Sequence, residues 1–188
     1  MGKKVFLVRH CSATGQEPSA TLTTEGFKQA EALQHFFREL DIDYIVTSPF
    51  VRAIQSVLPV AEEKGLIVAK EERLSERVLS SRNLHNWMEK LRETYENENL
   101  AFEGGESSKV ATIRIQNVIE SLLFDSPYEN SIVVTHGNIL SLLLRTYQPS
   151  FGFEQWQRLS NPDLFLLELH SNFELVVKRL WNSYHQNT

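Results

Sequence analysis

Four basic side chains in this sequence stand where apolar stretches give way to polar ones. Arg9 and His10 directly follow a valine-rich run, and His136 follows a β-branched run. Arg52 lies a few residues beyond a third apolar run. Guanidinium groups suit phosphate because their planar fork donates paired hydrogen bonds, and histidine can act as a nucleophile or as an acid and base. These residue types indicate an anion site, provided that the fold brings them together.

The elements that must position these side chains alternate between strands and helices. Apolar, β-branched runs predict buried strands at residues 5–9, 43–48, 65–69 and 131–135. Helical periodicity lies between them, and two runs near the end predict a hairpin with Asn172 in its turn. The alternation predicts an α/β fold of three layers, with a mostly parallel central sheet and helices on both faces. Ligands bind at the carboxyl edge of such sheets, where the four basic groups stand.

Composition limits the classes of protein that fit. The chain has 188 residues, 41% hydrophobic and 23% charged, which suits one globular domain. Its net charge of −5, without a basic stretch, argues against a nucleic-acid partner. The single cysteine, Cys11, leaves no intramolecular disulfide. No signal peptide or membrane-length apolar run stands out, so we expect a cytoplasmic protein without a membrane partner. The oligomeric state is not readable from the sequence.

Several short segments, in order along the chain, resemble the histidine phosphatase superfamily, also called the phosphoglycerate mutase-like family. Arg9-His10-Cys11 is similar to its Arg-His-Gly signature, and Ser48-Pro49-Phe50-Val51-Arg52-Ala53-Ile54-Gln55 to its Ser-Pro-x-x-Arg-Ala-x-Gln element. Thr135-His136-Gly137 matches its Thr-His-Gly element. The resemblance covers essentially the whole chain. It implies a phosphoglycerate mutase-like fold, with residues 1–188 forming a single domain.

The resemblance implies a phosphatase that hydrolyses a small phosphomonoester through a phosphohistidine. By this likeness His10 is the nucleophile and Glu76, in a Leu-x-Glu stretch, is the proton donor. Glu71 and Glu72 are nearby rivals for the donor role. The remaining catalytic groups, which would hold the phosphoryl group, are Arg9, Arg52 and a protonated His136. Phosphate contacts are assigned to Thr14, Gln16 and Gly137. No metal and no cofactor is implied.

Two departures from the family pattern bear on the site. Cys11 replaces the usual glycine of the signature, so the loop must accept a side chain there. The usual Gly-x-x-Glu-Gly pattern is missing after Glu76. We therefore expect residues 77–106, with a helix near 84–100, to be an insertion that covers the sheet edge and selects the substrate. The sequence does not identify that substrate.

Other functions compete with this interpretation. A cysteine phosphatase needs arginine six residues after its cysteine, but Glu17 stands six residues after Cys11. A metallohydrolase could use His10 and His136, yet neighbouring arginines would repel a divalent cation. A phosphoglycerate mutase and a non-catalytic phospho-ligand binding protein remain alternatives. The presence of both a candidate nucleophile and a candidate acid favours the phosphatase over a binding module.

Overall fold

The computed structural model describes residues 2–171 and 174–181, in which a sheet lies between two sets of helices. The strands are β1 (Lys4–Arg9), β2 (Tyr44–Thr47), β3 (Val68–Lys70), β4 (Asn130–Thr135), β5 (Asp163–Leu169) and β6 (Leu175–Arg179). The helices are α1 (Thr24–Phe37), α2 (Val51–Lys64), α3 (Trp87–Glu96), α4 (Ser108–Glu120), α5 (Gly137–Tyr147) and α6 (Phe153–Gln157). A 3₁₀ turn covers Glu72–Leu74, and a π-helical turn follows α4 at Ser121–Asp125.

The sheet has the strand order β3-β2-β4-β1-β5-β6. Strands β1, β2, β3 and β4 are parallel to their neighbours within that set, whereas β5 pairs antiparallel with β1 and with β6. The predicted mostly parallel α/β sheet is therefore confirmed. The hairpin strands β5 and β6 are also found, but Asn172, predicted in the turn, lies outside the described residues.

Strand β1 is buried on both faces, as its apolar run predicts. Val5 and Leu7 belong to a core under α4 and α5, while Phe6 and Val8 belong to a second core under α1 and α2. This alternation follows from the two-residue period of a strand. Helices therefore cover both faces of the sheet, which confirms the three layers.

Helix α1 begins where the sequence offers a capping hydroxyl. The Thr23 Oγ1 atom accepts a hydrogen bond from the Gly26 backbone N–H at 3.0 Å, so one amide of the first turn has a partner. Ser107 caps α4 in the same way, because its hydroxyl accepts from the Val110 N–H at 3.2 Å. In α4, however, Val110 and Ile113 are about half exposed, whereas Ala111 and Ile115 are buried.

The segment from residue 77 to residue 106 contains one regular helix, α3. Leu91 and Tyr95 of α3 form a small third core with Ala111, Leu142 and Phe153, so the segment packs on α4, α5 and α6. The helix is shorter than the predicted 84–100 span. Within the described residues, no helix is both long and apolar enough to cross a bilayer.

Candidate active site

The carboxyl ends of three adjacent strands bring the predicted basic groups together. Strand β1 ends in Arg9 and leads into His10, β4 ends just before His136, and β2 leads through a short turn to Arg52 in the first turn of α2. Arg52 lies between the two histidines, with its Nε 3.1 Å from His10 Nε2 and its Nη2 3.2 Å from His136 Nδ1. The imidazole ring centres are 5.1 Å apart. Residues far apart in sequence thus form one cluster.

The hydrogen bonds of His10 define its tautomer. Its Nδ1 lies 2.7 Å from the Cys11 carbonyl oxygen, which can only accept, so the proton is on Nδ1. Its Nε2 therefore carries the lone pair and accepts from Arg52 Nε. Burial lowers the pKa of His10 to about 3, with the Cys11 bond opposing and the Arg52 charge adding to the effect. The ring is neutral at neutral pH, with its free lone pair on Nε2.

Arg52 is held by the backbone of the loop after β1. Its Nη1 donates to the Gln16 and Glu17 carbonyl oxygens at 3.0 and 2.9 Å. The side chain is 1% exposed, and burial lowers its pKa. Its guanidinium carbon also lies 4.9 Å from the centre of the Phe50 ring. These contacts fix the guanidinium between the two imidazoles.

His136 differs from its predicted state. Arg52 Nη2 can only donate, so His136 Nδ1 accepts and its Nε2 donates to Ser48 Oγ at 2.7 Å. Burial, followed by the nearby His10 and Arg52, lowers the pKa of His136 well below its ordinary value. The expectation of a protonated His136 is therefore wrong for this arrangement. Its cause is that the ring is fully buried among cations, which disfavours another positive charge.

Arg9 and Gly137 fit closely against each other. A Cβ at Gly137 would lie 3.0 Å from Arg9 Cζ and Nε, so the guanidinium would have to shift if any side chain stood there. Arg9 Nη1 donates to the Leu159 carbonyl oxygen at 2.8 Å, while Arg9 Nε is buried without a partner among the described residues. Gly137 also begins α5, so Arg9 lies at a helix N-terminus. The Nε itself is buried against Gly137, but a guanidinium charge at a helix N-terminus favours an anion beside it.

Glu76 lies across the start of α5. Its carboxylate oxygens accept from the backbone N–H groups of Asn138 and Ile139, both at 3.0 Å, and of Arg77 at 2.9 Å. A carboxylate suits this position because the N-terminus of a helix carries partial positive charge. The rival Glu71 instead accepts from Arg73 in the 3₁₀ turn.

A pocket of about 460 Å³ adjoins this cluster. The lining residues are Arg9, Gln16, Glu76, Arg77, Leu79, Trp87, Leu91, Gly137, Asn138 and Trp156. Residues 77–106 thus supply one cation and three apolar side chains to it. The sequence indicated an insertion here, but it did not indicate that Arg77 and Trp156 contribute.

Two of the three residues predicted to contact phosphate lie at the pocket, and the third does not. Gln16 and Gly137 line the pocket. Thr14 is exposed, and its hydroxyl donates to the Thr21 carbonyl oxygen at 3.2 Å. No contact of Thr14 in the structure supports its assignment, which stays a prediction.

Three residues support the cluster without having been assigned a role from the sequence. Ser48 accepts from His136, and Asn161 Nδ2 donates to the His10 carbonyl oxygen at 2.7 Å. Ser56 Oγ accepts from the Cys11 N–H at 2.8 Å. Of these, only Ser48 stood in a quoted motif. Cys11 itself is fully buried in the core under α1 and α2, so the loop accommodates its side chain.

The donor set of the site does not resemble a metal centre. Among residues 2–171 and 174–181, no three histidine, cysteine or carboxylate side chains converge as a metal would require. The two imidazoles share an arginine instead.

A model of the histidine phosphatase superfamily (branch 1) matches residues 5–183 of the chain. The chain belongs to this superfamily. It is an enzyme of the family, and the resemblance seen in its motifs is confirmed.

Three known proteins illustrate the likeness. Phosphoserine phosphatase 1 of Hydrogenobacter thermophilus is 28% identical over 148 residues, covering 71% of this chain and 70% of that protein. A second protein of that organism, whose name gives the same activity provisionally, is 25% identical over 187 residues, 92% of this chain and 91% of its own. The structure of mycobacterial glucosyl-3-phosphoglycerate phosphatase with inorganic phosphate has a TM-score of 0.75 at 22% identity, over 99% of this chain and 100% of that one. At that identity, the structural likeness shows the fold alone.

Proposed function

We propose that this chain hydrolyses a phosphomonoester in two steps, through a phosphohistidine on His10 Nε2. The observation that carries the proposal is the hydrogen bond from His10 Nδ1 to the Cys11 carbonyl oxygen. It fixes the proton on Nδ1 and leaves the lone pair on Nε2, in a ring whose lowered pKa keeps it neutral. A neutral imidazole with a fixed tautomer is a competent nucleophile.

The anion site supports the same proposal. Arg9 has a buried N–H without a partner, and Arg52 presents N–H groups to both histidines. When a phosphoryl group enters, its oxygens accept from these guanidinium groups, which frees the Nε2 lone pair from Arg52 Nε. Fixed donors of this kind stabilise the charge that develops on the equatorial oxygens.

In the first step, the Nε2–phosphorus bond forms and the bond to the leaving oxygen breaks. Glu76 gives its proton to that oxygen. In the second step, the Glu76 carboxylate takes a proton from water, whose oxygen attacks phosphorus and releases phosphate and neutral His10. Glu76 lines the same pocket as Arg9, which supports its place beside the leaving oxygen. Transfer to a second substrate hydroxyl instead of water would make the enzyme a mutase.

The proposal is tested by phosphate release from purified protein. We expect release from 4-nitrophenyl phosphate, and the names of the two bacterial relatives make L-phosphoserine the first natural ester to try. His10→Ala should lower kcat/KM by about 10⁴-fold or more, because the nucleophile is lost. His85→Gln, at an exposed histidine, is the control and should be unchanged. No release, or equal release by His10→Ala and wild type, would overturn the proposal.

A further inference from the structure

Arg77 is the cation of the pocket that the proposed chemistry does not use. It lines the pocket beside Glu76 and is only 6% exposed. Its Nε donates to the Glu106 carbonyl oxygen at 3.1 Å, and its Nη1 donates to Thr94 Oγ1 and Ser108 Oγ at 2.9 and 3.1 Å. Its Nη2 is buried and has no partner among the described residues.

The charge of Arg77 is also without a paired carboxylate. The nearby Glu106 carboxylate accepts from Arg114 instead, and the Glu76 carboxylate accepts backbone N–H groups. Within residues 2–171 and 174–181, Arg77 takes part in no salt bridge. The Glu106 and Glu76 charges act on Arg77 only from a distance, and a buried guanidinium N–H without a direct partner is costly unless a ligand supplies one. Burial accordingly lowers the pKa of Arg77.

The other residues of the pocket wall limit the kind of ligand that can bind beside Arg77. Leu79, Trp87, Leu91 and Trp156 form its apolar part. The volume of about 460 Å³ lies in the range of roughly 300–1,000 Å³ of sites that hold an organic ligand of drug size. A phosphoryl group held by the arginines would therefore fill only part of the pocket, and the leaving group has apolar surface to contact.

We propose that the leaving group of the substrate is an apolar body that carries a carboxylate, with the carboxylate paired to Arg77 and the body packed between Trp87 and Trp156. The proposal rests on the proposed function, because it describes the ester that the same site cleaves. A carboxylate fits better than a second phosphate. Only one nitrogen of Arg77 is unpaired, and the neighbouring Glu76 carboxylate would repel a dianion more strongly.

Binding in this way requires a small adjustment of the pocket wall, because Arg77 Nη2 is covered in the structure. Trp87, another residue of that wall, begins α3 and is 47% exposed, so it is not fixed in a packed core.

Matched aryl phosphates test the proposal. The 3- and 4-carboxyphenyl phosphates are compared with the 3- and 4-carbamoylphenyl phosphates, which have the same shape but no charge. For wild type we expect kcat/KM to be about 10- to 100-fold higher for the better carboxylate than for its amide, as a hydrogen-bonded charge pair would give. In Arg77→Met this ratio should fall to within about threefold of unity. Equal values for acid and amide in wild type overturn the proposal.

Controls separate this result from other failures. Arg92→Met changes an arginine of α3 that pairs with Glu154 at the surface, and it should keep the wild-type ratio. If Arg77 only supports the fold, Arg77→Met lowers kcat/KM for acid and amide equally and the ratio stays, which also overturns the proposal. If Arg77→Met does not fold, Arg77→Lys is used instead. Lysine lacks the planar guanidinium fork, so the ratio of kcat/KM for acid to amide should still fall toward unity. Absence of phosphate release from every aryl ester is failure of the proposed function, whereas release without preference is failure of this inference alone.

Discussion

The carboxyl edge of the sheet and residues 77–106 contribute to one pocket, but they are built in different ways. At the edge, backbone carbonyl groups hold three of the functional side chains: Cys11 holds His10, Gln16 and Glu17 hold Arg52, and Leu159 holds Arg9. The fourth, His136, is held by the side chains of Ser48 and Arg52. In the segment, side-chain partners play a larger part: Arg77 donates to the Glu106 carbonyl oxygen, but also to the hydroxyls of Thr94 in α3 and Ser108 in α4.

The difference fits the two proposals, in which the edge carries the chemistry and residues 77–106 contact the leaving group. Groups held by the backbone keep their geometry as long as the strands keep their register, so the edge can supply the same reaction to many esters. A wall made of side chains can change its preference by substitution without disturbing the sheet. Substitutions in each region can test whether the edge and residues 77–106 are independent of each other.

After the loss of the nucleophile in His10→Ala, the largest effect is expected at Glu76, where the two regions meet. Glu76→Gln keeps the size of the side chain and one of its two acceptor oxygens but cannot give up a proton, so kcat/KM for an alkyl phosphate should fall by about 10²- to 10⁴-fold. For 4-nitrophenyl phosphate, whose leaving group needs no proton, the first step should suffer far less. Glu71→Gln is the matched control, since Glu71 pairs with Arg73 in the 3₁₀ turn. A loss that is equal for both esters would contradict an acid role.

The edge should be rigid enough for one methyl group to disturb it. Gly137→Ala would place a Cβ 3.0 Å from Arg9 Cζ, so the guanidinium must move. We expect a fall in kcat/KM of about 10- to 100-fold, because misplacing a charge-stabilising group is costly. Gly152→Ala, where the nearest atom would be at 3.5 Å, serves as the control. Unchanged kinetics in Gly137→Ala would show that the position of Arg9 is not critical.

Most functional residues at the edge could be predicted because they belong to short, contiguous sequence motifs. One buried run ends in Arg9-His10, and another ends just before His136. Once the two strands pair in parallel, these residues lie side by side at the same edge of the sheet. The insertion could not be predicted to the same depth. Arg77 bonds to Thr94 and Ser108, which are 17 and 31 residues away, and no local pattern encodes such contacts.

The charge of His136 could not be inferred from its residue type. Its neutral state depends on a donor from Arg52 and an acceptor on Ser48, both of which arrive from β2 and the turn after it.

Acid should destabilise the edge specifically. Below the ordinary histidine pKa of 6.5, the unfolded chain binds a proton at His10, while the folded chain does not until about pH 3. Stability is therefore present above 6.5 and falls as the pH decreases through this window. His10→Asn should make the dependence of unfolding free energy on pH shallower, by up to about 1.4 kcal/mol per pH unit. Urea titrations across the window measure the slope.

His85→Gln is the control for this slope, because His85 is exposed and should leave it unchanged. The same slope in His10→Asn and wild type would mean that His10 is protonated as readily in the folded chain as in the unfolded one. The proposal that His10 is neutral when it attacks phosphorus would then be contradicted.

The smallest effects should lie in the loop after β1. Gln16 lines the pocket, so Gln16→Ala should change KM for a phosphate ester by a few-fold, about the value of one hydrogen bond. Thr14→Val should stay within about twofold of wild type, because the Thr14 hydroxyl bonds to Thr21 outside the pocket lining. A larger effect of Thr14→Val would extend the phosphate site along this loop.

The central claim is a covalent bond between phosphorus and one ring nitrogen of His10. It is tested by mixing the enzyme with 4-nitrophenyl phosphate, quenching in alkali, in which phosphohistidine survives, and locating the phosphoryl group by peptide mass spectrometry. We expect a phosphoryl group on His10 that acid removes. In Glu76→Gln a larger fraction of the enzyme should carry it, because water is no longer activated. A phosphoryl group on Cys11 or His136, or turnover with no phosphoenzyme in either protein, would contradict it.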